Sequence, residues 1–216
     1  MENLGEFEPF CELDLESQEA LSKIAILKNY KKKEIIFYEE DEVREIYFLI
    51  KGSVKIYKVD RFDNEVFFGI STKGLLNDYD DTKDLVSFMN VECMEDSLVA
   101  CFDIEGLRVV FDSHPQILKM FFKEALKRIK VFENVVLKEL IFDSTAKVAY
   151  SLYYDLEEFN THKKQENAAF LNIQPETLSR ILKKMHRDNV IETNQAGKIE
   201  ILDQHKLQMI FKQDTR

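Results

Sequence analysis

The 216-residue sequence is short of cysteine and histidine, with three of one and four of the other, and it has no apolar run of the ~18 residues a membrane span needs. Each shortage closes off a class of function. Cys11, Cys93 and Cys101 are odd in number and unrelated in spacing, which suits a reducing compartment and does not suit a disulfide framework. Three thiols also fall short of the four that an iron–sulfur cluster takes from one chain. The first residues, Met1-Glu-Asn-Leu-Gly-Glu6, lack the basic region and apolar core of a secretion signal. A cytoplasmic protein without membrane contact is therefore expected.

What is present is enough for two packed domains: 45% hydrophobic residues, an ordinary globular content, over a chain of this length. The formal charge of −10 is unevenly placed. Residues 143–216 hold 11 Lys and Arg against 11 Asp and Glu, so the whole excess of acid lies in residues 1–142. Within residues 162–212 the balance is 9 basic to 6 acidic side chains. Attraction to a polyanion would thus come from a local patch and not from the field of the whole molecule.

Residues 1–112 read as a β-rich domain with a helical preface. Ser17 to Leu27 is amphipathic, with Leu21, Ile24 and Ala25 on one face. Short apolar runs follow between turn residues: Glu34–Tyr38, Glu45–Ile50, Ser53–Val59, Glu65–Ile70 and Ser97–Phe102, the pattern of a sandwich or barrel. The four histidines, His114, His162, His186 and His205, all fall outside these runs. A metalloenzyme of the cupin type needs several histidines and a carboxylate converging inside its barrel, so no enzyme is expected. Cys93 and Cys101 lie on or beside strands, where an isolated thiol is ordinarily an inert core residue; a redox sensor is the other reading.

Residues 113–142 read as one long helix from about Pro115 to Leu140, with proline favourable in the first turn and Ser113 available as a cap. Leu118, Phe122, Ala125, Ile129, Phe132 and Val136 repeat at alternating intervals of four and three, a heptad seam, while Phe121 and Leu126 are placed to face the barrel. One helix cannot bury both faces alone. A parallel two-fold dimer through the seam is expected, the alternative being a helix buried within one chain.

Residues 143–216 carry the strongest signal. In Gln165–Asn189, Ala168, Leu171 and Ile173 mark a short helix and its exit, and Leu178, Ile181, Leu182 and Met185 mark one face of a second. Asn172 stands between them, where the backbone needs positive φ and asparagine is the commonest residue after glycine to accept it. Pro175 fits the first turn of the second helix and Gln174 is available as its cap. Glu176, Ser179, Arg180 and Lys183 share the opposite, polar face. A guanidinium there can donate twice to guanine O6 and N7, a carboxylate can accept from cytosine N4, and a hydroxyl can meet bases or phosphate. Lys183, Lys184 and Arg187 would lie along phosphates, with Thr177 among the contacting residues. The bland reading of Glu176 and Arg180 is an i,i+4 surface ion pair, worth about 0.2–0.5 kcal/mol. Val190–Ile191 and Lys198–Leu202, with Asn194-Gln-Ala-Gly197 between, read as a two-stranded wing.

The run Gln165-x-x-Ala168-x-x-Leu171 followed by Glu176-Thr-Leu-Ser179-Arg180-Ile-Leu-Lys183 resembles the helix-turn-helix of the CRP/FNR superfamily of bacterial transcription regulators. The Glu-x-x-Ser-Arg form looks like the FNR branch, and the resemblance extends through Asp203 and Leu207. It implies base contacts from Glu176, Ser179 and Arg180, half-sites resembling TTGAT, and a homodimer on double-stranded DNA that meets RNA polymerase. Two positions depart from the pattern: Asn172 replaces the usual turn glycine, and Asn167 stands where an apolar residue is common, which suggests a slightly weaker helix contact. Tyr47-Phe-Leu-Ile-Lys-Gly52-Ser-Val-Lys-Ile-Tyr57 resembles the strand–Gly–strand core of the cyclic-nucleotide-binding-type jelly roll, with Phe37, Tyr38, Phe48, Phe67 and Phe68 also dense there. The implied architecture is α+β: an N-terminal jelly roll, a long dimerisation helix and a C-terminal winged helix-turn-helix.

In that family's phosphate cassette, Phe-Gly-Glu is followed about ten residues later by an Arg and a Ser or Thr. Here the first part reads Gly74-Leu-Leu-Asn77-Asp78, and Asp84–Cys93 has no arginine. A cyclic phosphate would find no guanidinium there to offset its desolvation, so cyclic AMP is not expected as the effector. No cofactor is expected; His114, just before Pro115, reads as a helix-start or surface residue, with haem ligation as its alternative. The effector stays unidentified, a redox or nitrosative signal being one candidate. Two other classes stay open: a ligand-binding jelly roll without sequence-specific DNA binding, and a metal-bearing jelly-roll enzyme.

Overall fold

The computed structural model describes residues 4–77 and 86–212. Two compact units divide within one long helix, the first comprising residues up to 62 with 68–132, the second residues 63–67 with those from 133 onward.

The first unit opens with helix α1 (Leu15–Ser22), capped by Asp14, whose carboxylate accepts from Ser17 N–H at 2.9 Å. The helix is shorter than its periodicity predicts. Ala25 and Leu27 lie instead in β1 (Ala25–Tyr30), which pairs along its whole length with the last strand of the roll. The other strands are β2 (Ile35–Phe37), β3 (Glu45–Lys51), β4 (Val54–Val59), β5 (Glu65–Ser71), β6 (Gly74–Leu75), β7 (Asn90–Cys93) and β8 (Ser97–Asp103). They form two four-stranded sheets, ordered β1-β8-β3-β6 and β2-β7-β4-β5, with β1, β2, β4 and β6 each antiparallel to their partners among β3, β7 and β8. The turn from β3 to β4 requires glycine: Gly52 has φ 103°, and a Cβ there would stand 2.8 Å from Ser97 Cα.

Strand alternation sorts the core into two layers. Leu49, Val99 and Cys101 point between the sheets, where Ile36, Val54, Ile56, Val91 and Cys93 meet them. Ile46, Phe48, Ile50, Leu98, Ala100 and Phe102 point the other way and are covered by Phe10, Leu21 and the helices that follow the roll. Those helices are α2 (Ile104–Ser113), capped by Asp103, and α3 (Pro115–Leu140). Leu107, Val110 and Phe111 of α2 and Ile117, Met120 and Phe121 of α3 complete this second layer. Phe121 faces the roll as its spacing predicts, whereas Leu126 is exposed. Ser113 does not cap α3. Its hydroxyl donates back to Val109 C=O at 2.8 Å and lies 2.9 Å from His114 Nδ1.

The second unit packs α4 (Ser144–Tyr154), α5 (Leu156–Thr161), α6 (Lys164–Phe170), α7 (Pro175–Arg187), the hairpin β9 (Ile191–Thr193) and β10 (Ile199–Ile201), and α8 (Gln204–Phe211). Val148, Ala149 and Leu152 of α4, Leu178 and Ile181 of α7 and Leu207 of α8 form its core. Asp143 and Asp203 cap α4 and α8 through Ala146 and Lys206 N–H. The mixed sheet-and-helix architecture is the α+β arrangement read from the sequence.

Candidate nucleic-acid interface

Backbone hydrogen bonds set the turn between α6 and α7. Ile173 N–H donates to Ala168 C=O and Asn172 N–H to Ala169 C=O, both at 3.0 Å, and Asn172 has φ 50°. This is the Schellman arrangement, which ends a helix on a left-handed residue. α7 ends in the same way, with Asn189 at φ 53° and Val190 N–H donating to Met185 C=O at 2.9 Å. Pro175 opens α7; Gln174 takes the capping position, but its side chain makes no capping hydrogen bond.

Asn167 does not weaken the helix contact. It is buried, and its Nδ2 donates to Phe159 C=O at 2.8 Å, so the carboxamide ties α6 to the end of α5 from inside the core. Asn160 does the same for the wing, accepting from Ile199 N–H at 2.8 Å and donating to Ile199 C=O at 2.9 Å. The wing turn is closed by Asn194, whose Oδ1 accepts from both Ala196 and Lys198 N–H, with Gly197 at φ 76°.

With Leu178, Ile181 and Met185 buried, the other face of α7 is left to solvent. Glu176, Arg180, Lys183, Lys184 and Arg187 are exposed, Thr177 and Ser179 half-buried. Among the described residues Glu176, Arg180, Lys183 and Lys184 make no ion pair, so the i,i+4 surface pair does not form. Arg187 lies 3.8 Å from Asp188. The Ser179 hydroxyl donates to Pro175 C=O at 2.8 Å, which leaves its oxygen as an acceptor. Lys164, Ser179, Lys183, His186 and Thr193 line a shallow groove between α7 and the wing. Lys164, His186 and Thr193 were not singled out in the sequence, because their convergence depends on how α6 and β9 pack.

Two family descriptions match this chain: a Crp-like helix-turn-helix domain at residues 150–210 and a cyclic nucleotide-binding domain at residues 27–114. The chain belongs to the CRP/FNR family of transcription regulators. No curated protein matches significantly. Solved structures of CRP/FNR type share the fold at low identity. FixK2 from Bradyrhizobium japonicum is 16% identical with a TM-score of 0.68, over 88% of this chain and 98% of that one. The c-di-GMP responsive global regulator CLP from Xanthomonas campestris is 18% identical with a TM-score of 0.70, over 87% and 99%. A CooA variant from Carboxydothermus hydrogenoformans is 15% identical with a TM-score of 0.72, over 98% and 96%.

The CRP/FNR jelly roll of this chain has its own features. Where the cassette begins, Asn77 is buried and pairs with β3, accepting from Tyr47 N–H at 2.8 Å and donating to Glu45 C=O at 2.9 Å. Asp78, Asp84 and Leu85 of the cassette lie outside the described residues. A cavity of about 90 Å³ is lined by Ile56, Phe68, Gly74, Glu124, Arg128 and Phe132 among others. It does contain a guanidinium, supplied by α3: Arg128 lies over the Phe132 ring at 5.2 Å. Beside it Glu124 is buried and accepts from Lys127 Nζ at 2.6 Å. Its volume is below the ~150 Å³ of a cavity that accommodates benzene.

Phe132 was expected in the heptad seam but packs against the core between the sheets. Leu118, Phe122, Ile129 and Val136 of the seam are exposed, and Ala125 is half-buried. His114 is placed beside Ser113 and 3.9 Å from Glu16. Among the described residues no group of three or more His, Cys, Asp and Glu side chains is placed to hold a metal ion, and no helix is long and apolar enough to cross a membrane. Cys93 and Cys101 are buried and Cys11 is exposed. Burial pushes both buried thiols up, that of Cys101 to about 12 despite the opposing charge of Lys28.

Proposed function

We propose that this regulator works in the cytoplasm as a homodimer. Each subunit places Glu176, Ser179 and Arg180 in one of two successive major grooves of an imperfect palindrome with TTGAT-like half-sites. The observation that carries the reading is the open polar face of α7: an arginine and a glutamate one turn apart, neither engaged in an ion pair among the described residues, on a helix whose other face is its domain's core. Thr177, Lys183, Lys184 and Arg187 orient that helix along the phosphates. Exposed Leu118, Phe122, Ile129 and Val136 of α3, with half-buried Ala125, supply the dimer seam, setting the two reading helices about 34 Å apart, one turn of DNA. Phe132 contributes to the roll instead.

The jelly roll would receive a small-molecule effector, whose preference for one conformation shifts the dimer between states of different DNA affinity. CLP, a c-di-GMP responsive regulator, is a precedent for a small-molecule signal on this fold. Thiol chemistry at Cys93 or Cys101 is the less favoured signal, since both are buried and protonated. Activity at promoters would then require contact with RNA polymerase.

Selection of bound duplexes from a random pool at defined salt tests the reading. An inverted repeat spaced by one helical turn is the expected product; recovery of no common sequence overturns it and leaves a ligand-binding module without specific DNA recognition.

A further inference from the structure

Any residue at position 172 must accept a left-handed backbone, and glycine does so at the lowest cost. The asparagine found there has a fully used side chain. Its Oδ1 accepts from Phe67 N–H at 2.8 Å, and its Nδ2 donates to Phe67 C=O at 2.8 Å and to Glu139 Oε1 at 3.0 Å. Glu139 in turn accepts from Lys147 Nζ through Oε2 at 2.6 Å, and the Lys147 side chain is 9% exposed. The Phe67 ring reinforces the contact, its centroid 4.7 Å from that of Phe170 at the end of α6. Residues 63–67, 139, 147 and 170–172 all cluster in the second unit.

The turn preceding the reading helix is thus tied at one carboxamide to a strand backbone and to the last turns of α3. Buried Asn167 and Ala168 seat α6 in the core, and the Asn172 carboxamide adds a second hold at the turn that follows it. We propose that Asn172 and Glu139 are positioning residues for DNA recognition: together they fix the direction of α7 before DNA is met. The inference rests on the assignment of α7 as the reading helix. In the tied arrangement Glu176, Arg180 and Lys183 are exposed, so the tie holds a form whose reading face is open. Losing it loosens the turn that leads into α7 and lowers affinity for specific DNA without changing which bases are preferred, the usual result of lost preorganisation.

Asn172→Gly keeps the backbone conformation and removes the carboxamide, so the domain is expected to fold. With full-length protein and a duplex carrying two inverted TTGAT half-sites, Asn172→Gly, which removes three hydrogen bonds, and Glu139→Gln, which takes the charge from one of them, are each expected to lose about tenfold in affinity. Their double variant should lose less than the two together, since they share the Asn172–Glu139 bond. Asn172→Asp sets a second carboxylate against Glu139 and should be worse than glycine; adding Glu139→Gln to it should recover part of the loss. Asn172→Gly bound as tightly as the parent, or with altered base preference, overturns the proposal. If the parent itself does not select that duplex, the assignment of α7 fails separately. Amide exchange on the free proteins then decides the tie: faster exchange at Phe67 and through residues 175–187 in Asn172→Gly supports it, and unchanged exchange overturns it.

Discussion

At the scale of single residues, Glu176 and Arg180, proposed to read bases, are exposed and form no ion pair among the described residues. Arg180→Ala is expected to cost about 1–3 kcal/mol on the specific duplex and to relax choice at one base pair, because a bidentate donor to guanine would be lost. Lys184→Ala should weaken specific and random DNA alike. Titration of both variants against a set of single-base-substituted duplexes checks this, and equal losses for Arg180→Ala on all of them would refute its role. Asn167→Ala acts on stability instead. It leaves the Phe159 carbonyl without its 2.8 Å donor in the core and is expected to lower unfolding free energy by about 1–3 kcal/mol, read by urea denaturation. Cys101 gives a pH dependence. A thiol whose folded pKa stands near 12 against an ordinary 9 keeps its proton longer when folded, so its contribution is whole below pH 9 and is lost as the pH rises toward 12. The parent should therefore lose stability on the alkaline side more steeply than Cys101→Ala. The need for positive φ at Asn172 was legible because few residue types accept it. The partner of Asn167 was not, because a buried carboxamide and a carbonyl eight residues away meet only through tertiary packing.

At the scale of elements, strong periodicity was a sound guide and short or competing patterns were not. The heptad of α3 and the apolar stripe of α7 run over several turns, and both helices appear close to their expected bounds. Leu21, Ile24 and Ala25 share a helical spacing too, yet Ala25 enters β1, where six residues pair with β8 and local preference yields to the sheet. Phe132 shows the limit of the heptad: spacing marks a residue as apolar-facing but does not say whether the roll or a second chain covers it. Phe122 has no such ambiguity, being 61% exposed. Phe122→Lys is therefore expected to leave the chain folded while shifting the proposed dimer to monomer at micromolar concentration. Sedimentation equilibrium measures this directly, and a parent that already sediments as a monomer would remove the dimer altogether.

At the scale of the whole molecule, an acidic protein that binds a polyanion must do so through a patch. The excess of acid lies in residues 1–142, while residues 162–212 are net basic. The family was legible in the sequence because the reading helix, its turn and its wing carry their chemistry in contiguous residues. The cavity was not, because Ile56, Gly74 and Arg128 are distant in sequence and meet only when α3 lies on the roll. The charge distribution yields a measurable slope. If Lys183, Lys184 and Arg187 of both subunits each neutralise a phosphate, about six counterions leave the DNA and log Kobs should fall with log salt at a slope of about −5. Replacing Lys184 by alanine in both subunits should bring the slope to about −4, while Arg180→Ala, acting on base edges, should leave it in place. A slope near zero for the parent would mean that binding does not run through this basic face. A much steeper one would require further phosphate contacts, for which Lys164 beside α7 and Lys198 at the wing tip are the available cations.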